Sequence, residues 1–124
     1  MDLSPRRFAD TLVLAPTGRI DHQNAEAFRV ALTPHLATCT PDKDRLVVDL
    51  SRLDYISSAG LRVFMLAARQ TKTQEGTLVL ADLQPLIGEI FSIARFDLVL
   101  QMFPSLREAL ARVSPAALAA FGGA

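Results

Sequence analysis

A chain of 124 residues, half of them hydrophobic, is one domain's worth of sequence and can bury a core without disulfide or metal staples, which excludes disorder for most of its length. The 13 basic and 13 acidic side chains cancel to a net charge of zero, so the basic excess that direct nucleic-acid binding draws on is missing. Cys39 alone cannot close an intramolecular disulfide, and His22 and His35 form no cluster of metal-ligand spacing, so neither a metal nor a cofactor is expected. The opening MDLSPRRFAD lacks an apolar signal segment and no run approaches the length of a membrane span, which points to the cytoplasm.

From residues 8 to 15 the chain closes on TLVLA, and Pro16 and Gly18 interrupt it before Arg19 and Ile20; this predicts two short strands joined by a turn. Asn24 suits a helix N-cap. Ala25, Phe28, Leu32 and Leu36 then recur as one apolar helical face, which Pro34 should kink or end. After the polar loop TCTPDKD, the run LVVDL within residues 45–50 lacks alternation and predicts a strand covered on both faces. A helix follows from 59 to about 73, closed by Gly76, and TLVLA at 77–81 is a second buried strand. Pro85 opens a third helix with Leu86, Ile87, Ile90, Phe91 and Ala94 at helical spacing. Residues 98–102 read as a last strand, and the S-x-x-E box of Ser105 and Glu108 opens a fourth helix before Pro115. The small-residue tail from 115 to 124 is expected to fray. The predicted order is β-β-α-β-α-β-α-β-α: one α/β domain over residues 1–124, with a mixed, mostly parallel sheet of about four to five strands and about four helices.

In such folds functional loops lie where a strand's carboxyl end hands over to a helix, and the plainest handover here is DLSRLDYISSAGLR. Ser57 and Ser58 stand directly before the predicted helix, where free N–H groups and the positive end of the helix dipole favour an anion, including a phosphate carried by a serine. A serine here is also an ordinary helix cap. One serine suffices for that, and if Ser57 supplies it, Ser58 keeps an available hydroxyl. Gly60 either admits a partner's backbone or relieves internal packing. Leu61, Phe64, Met65 and Ala68 share one face of the helix, and Val63, Leu66 and Ala67 widen the apolar arc, so part of it either meets a partner or is buried. Arg62 and Arg69 are rim contacts or solvated charges. The motifs of serine hydrolases, P-loop enzymes, dinucleotide binders and zinc proteases are missing, and no catalytic residue is assigned. Cys39, in the polar loop, has no neighbour that would activate its thiol.

The segment VVDLSRLDYISSAGLRVFML resembles the signature of STAS-domain proteins, specifically the anti-sigma-factor antagonists, in which a strand, a short loop and a D/S-S-S/T/A-G-L element lead into a helix. Upstream, TGRIDHQNAEAFR is similar to the family's element at the start of its first helix, and Ser105 to Leu110 is similar to its closing helix. The resemblance runs from about residue 11 to residue 113. It implies a STAS-like sandwich and a non-enzymatic partner switch. The unphosphorylated antagonist would bind an anti-sigma factor that is also a serine kinase, phosphorylation would end that binding, and a serine phosphatase is the candidate for reversing it.

By the same resemblance Ser58 falls on the phosphoacceptor position and Asp21 on the acidic residue beside it. Ser57 and Gly60 complete the expected site, with Asn24, Ala59, Leu61, Arg62 and Met65 as expected partner contacts. Read from the residues alone, Asp21 serves equally as a cap or turn residue ahead of Asn24. Two positions depart from the family pattern: Ser57 stands where many members have Asp, and Ala59 replaces a following Ser or Thr, leaving Ser58 the sole acceptor match. A constitutive STAS binding module, such as an accessory subunit of a transporter or a signalling scaffold, is the alternative on the same fold.

Overall fold

The computed structural model describes residues 1–122. Its elements are β1 (Arg6–Phe8), β2 (Thr11–Leu14), β3 (Gly18–Ile20), α1 (Ala25–Ala37), β4 (Arg45–Asp49), β5 (Leu53–Ile56), α2 (Ser58–Thr73), β6 (Leu78–Ala81), α3 (Pro85–Ile93), β7 (Met102–Phe103), α4 (Leu106–Val113) and α5 (Pro115–Gly122), with a 3-10 turn at Phe96–Leu98. Five strands form a central sheet in the order β1-β2-β4-β6-β7, with β1 antiparallel to β2 and the other neighbours parallel.

The central strands are buried on both faces, which is why their sequences do not alternate. Leu12, Leu14, Leu46, Val48, Leu78 and Leu80 face a core shared with α1, α2 and α3, while Val13, Val47, Val79 and Ala81 face a second one under α4 and α5. In the larger core Phe28, Phe64, Phe91 and Phe96 pack in series, the first pair tilted and the other two edge-on, with ring centroids 5.2, 5.5 and 5.0 Å apart, and so tie α1, α2, α3 and the 3-10 turn together.

The α/β class and the mostly parallel sheet match the sequence reading, but several local expectations differ. The segments at 11–14 and 18–20 are strands of two separate sheets: β3 pairs in parallel with β5, a strand the sequence reading did not contain. Pro34 does not end α1. It forgoes the bond to the Val30 carbonyl in the last turn, on the exposed side, and the helix continues to Ala37. The left-handed residue after α2 is Glu75, at φ 59°, whereas Gly76 is required because a Cβ there would lie 2.1 Å from the Cys39 carbonyl oxygen. Cys39 is fully buried rather than in an open loop. Its thiol donates to the Thr77 carbonyl at 3.2 Å, and burial pushes its pKa up to about 11.

Residues 98–102 do not form the last strand. Arg95 adopts a left-handed conformation, the 3-10 turn follows, and Leu98 and Val99 stay exposed, so that only Met102 and Phe103 reach the edge of β6. The tail expected to fray is helical as α5, with Ala117 buried and Phe121 edge-on to Phe8 at 5.4 Å; residues 123 and 124 lie outside the described residues.

The helix α5 is anchored by a polar knot. Ser114 is buried, donates to Asp10 Oδ1 at 2.6 Å and accepts from the Ala117 amide at 3.1 Å, while Arg45 pairs with Asp10 Oδ2 at 3.0 Å. These partners, Ser114 first, hold the Asp10 carboxyl below its usual pKa, as Arg7 and Thr38 do for Asp44. A depressed carboxylate stabilises the fold above its unfolded pKa and loses that contribution as the pH falls through the folded value. Stability in urea should therefore hold through neutral pH and fall below about pH 4. Ser114→Ala should lower it by about 1–2 kcal/mol at pH 7 and shrink the acid-induced loss.

Candidate functional site

The site begins with two short strands. In the β3/β5 pair Ile20 lies opposite Ile56 and Arg19 opposite Tyr55. The isoleucines point into the core, whereas outside the Arg19 guanidinium lies over the Tyr55 ring, 4.4 Å from its centroid. The register continues one residue further, where the Ser57 amide donates to the Ile20 carbonyl at 2.8 Å. Asp21 and Ser57 thus leave the pair side by side, brought together from distant parts of the sequence.

Ser57 caps α2. Its backbone is extended, its Oγ accepts from the Gly60 amide at 3.3 Å and its carbonyl accepts from Leu61 at 2.9 Å. Ser58 is the first helical residue and is exposed, and among the described residues its hydroxyl makes no hydrogen bond. Gly60 is buried against the strand pair: a Cβ there would lie 2.7 Å from Ile56 Cγ1 and 2.8 Å from Ile20 Cγ2. Of its two sequence readings, the glycine fulfils internal close packing.

Asp21 and Asn24 form a reciprocal turn at the start of α1. Asp21 Oδ1 accepts from the amides of Gln23 and Asn24 at 2.9 and 3.2 Å, and Asn24 Oδ1 accepts from the Asp21 amide at 2.8 Å. The Asn24 side chain also donates to the Arg19 carbonyl at 2.8 Å, so it braces the loop backwards and makes no capping bond to the helix. Asp21 therefore does fill the turn role. Among the described residues no hydrogen bond joins it to Ser58.

The expected partner contacts divide by burial. Ala59, Leu61 and Met65 are half-buried and pack against the larger core, and Asn24 is half-buried in its turn, whereas Arg62 is exposed. With Ser58, Arg62 begins an outward stripe that continues through Leu66, 42% exposed, and Arg69. Helix α2 carries Arg62, Arg69 and Lys72 and no acidic residue, and among the described residues none of the three is in an ion pair. The positive end of its dipole is likewise uncompensated by any acid in the first turn. The stacked Arg19 and Tyr55 flank this site and were missed at the sequence level, because only the pairing of β3 with β5 makes them neighbours.

The model of the STAS domain family matches residues 3–109. The chain belongs to the STAS-domain family. Across 120 residues, 95% of this chain and 98% of the relative, the STAS domain is 39% identical to BtrV of Bordetella bronchiseptica, which is named as an anti-sigma factor antagonist. Its fold is similar to that of a Thermotoga maritima protein titled an anti-sigma factor antagonist, with a TM-score of 0.80 at 18% identity over 90% of this chain and 93% of the other. It is also similar to the Bacillus cell fate determinant SpoIIAA in its phosphorylated form, with a TM-score of 0.66 at 18% identity over 90% of this chain and 98% of that one. Among the described residues no helix is long and apolar enough to cross a membrane.

The two adjacent serines should separate cleanly in a stability measurement. Ser57→Ala removes the cap and should cost about 1 kcal/mol, while Ser58→Ala should stay within about 0.5 kcal/mol of wild type. Gly60→Ala, which drives a methyl group into Ile56 and Ile20, should cost about 1–3 kcal/mol. Urea denaturation followed by circular dichroism checks all three, and a Ser58→Ala loss as large as that of Ser57→Ala would reassign the cap.

Proposed function

We propose that this STAS domain is an anti-sigma-factor antagonist: it binds an anti-sigma factor that is also a serine kinase, and phosphorylation of Ser58 ends the binding. The observation that carries this reading is the division of labour between the serines, with Ser57 spent on the helix cap and Ser58 left exposed and unengaged at the first turn of a cationic helix. It is supported by the near full-length similarity to BtrV, named as an anti-sigma factor antagonist, and by the phosphorylated form of SpoIIAA.

In the transfer step Ser58 Oγ attacks the γ-phosphorus of the kinase's ATP. The new O–P bond replaces the bond to ADP, which leaves, and the hydroxyl proton passes to a base on the kinase. In this reading Asp21, whose Oδ2 takes no part in the α1 turn, orients that hydroxyl in the complex with the kinase. Before modification the surface offered is small and cationic: Ser58, Arg62, Leu66 and Arg69, flanked by half-buried Ala59, Leu61 and Met65. It suits a partner with acidic side chains around an apolar centre. A phosphate at Ser58 places a bulky dianion against those acids, and a loss of about 2–3 kcal/mol corresponds to roughly a hundredfold weaker binding. In this reading the domain acts by binding in the cytoplasm, without an active site of its own, and a serine phosphatase restores it.

The test uses wild-type, Ser58→Ala and Ser58→Asp proteins as baits in native cytosol, followed by labelling with radioactive ATP. The expected result is one kinase-type anti-sigma factor held by wild type and Ser58→Ala but released by Ser58→Asp, and, once purified, transferring label to wild type and not to Ser58→Ala. Equal capture of transporter or scaffold components by all three baits would replace the switch by a constitutive binding role.

A further inference from the structure

The first turns of α2 contain a charge relation that the switch alone does not use. Arg62 lies four residues, one helical turn, beyond Ser58; both are exposed, and among the described residues Arg62 has no ionic partner. Side chains at i and i+4 face each other along a helix. A guanidinium takes a phosphate through two parallel N–H···O bonds, a geometry that neither lysine nor a point charge reproduces. No acid on α2 competes for the guanidinium, and among the described residues no carboxylate of another element forms an ion pair with it.

We propose that Arg62 is the internal receptor of a phosphate on Ser58: once the serine is modified, the guanidinium closes back one turn and pairs with it. This rests on the phosphoacceptor role given to Ser58 above. The modification then acts twice on the outward stripe, adding a dianion at Ser58 and withdrawing the cation that stands between it and Leu66. A Ser58→Asp substitution has a shorter arm and a single charge, so it reproduces the first effect better than the second.

The other charged groups on the neighbouring elements are Arg19, stacked on Tyr55, Asp21 and His22 in the turn, Asp54 on β5 and, on α1, Glu26 and Arg29, which pair with each other at 2.6 Å. The experiment installs phosphoserine at position 58 during translation of the full chain and follows the second phosphate ionisation by phosphorus NMR titration. Wild type is compared with Arg62→Gln, Arg62→Lys, Arg19→Gln and His22→Gln. The helix amides, the Ser57 cap and Asp21 are common to all, so their influence cancels in the differences.

The expected result is a phosphate pKa lower in wild type than in Arg62→Gln by about 0.2 units or more, the size of an exposed i,i+4 ion pair. Arg62→Lys should restore part of it, the Arg19 and His22 variants should match wild type, and 1 M salt should erase the difference. A smaller difference between wild type and Arg62→Gln, or a shift carried by Arg19 or His22, would overturn the proposal. Because the phosphate is installed without a kinase, failure here leaves the acceptor role of Ser58 to the labelling experiment, which Arg62 does not enter.

Discussion

The close approach between the first turn of α2 and the β3/β5 pair is the constraint on which the rest depends. Gly60 lies where any Cβ would overlap Ile20 and Ile56, and the Ser57 amide reaches across to the Ile20 carbonyl at 2.8 Å. With the helix origin pinned at that point, the buried face of α2 is set. Phe64 falls between Phe28 and Phe91, and the aromatic series that joins the three helices of the larger core follows. The opposite face is set as well, which turns Ser58, Arg62, Leu66 and Arg69 outward in one line. Core packing and site geometry are two sides of the same helix placement.

This arrangement separates holding the helix from presenting the hydroxyl. Ser57 satisfies an orphan amide of the helix start, so a change at Ser58 leaves the cap intact. The neutral cap has an electrostatic consequence too: with serine as the cap and no acidic residue in the first turn, the start of α2 carries no carboxylate against the positive end of its dipole. The polar turn of Asp21 and Asn24 plays the matching role on the neighbouring helix. It anchors the start of α1 and holds a carboxylate beside the loop without spending both of its oxygens.

Much of the site was legible because its signals are local. The serine pair, the glycine two residues later and the helical spacing that follows lie within one short segment, and the capping box of Ser105 and Glu108 is likewise realised, with the Ser105 Oγ accepting from the Glu108 amide at 3.1 Å. Asn24 shows the limit of such reasoning. Its residue type suits a cap, but its amide is drawn to Arg19 and Asp21 because β3 ends beside it. Arg19 and Tyr55 carry no signal at all until two short strands meet.

The sequence by itself determined the doubly buried strands, the helix starts, the serine loop and the balance of charge, since periodicity, capping and composition are properties of neighbouring residues. Only the tertiary structure decided that β3 joins β5 rather than β2, because three- and four-residue strands hold too little pattern to choose a partner. It also decided that residues 98–102 turn instead of pairing, that the small-residue tail becomes α5 against Phe8 and Ser114, and that Gly60 and Gly76 serve close contacts. Each of these depends on which distant atoms arrive at the same place, and packing density, not local preference, settles that.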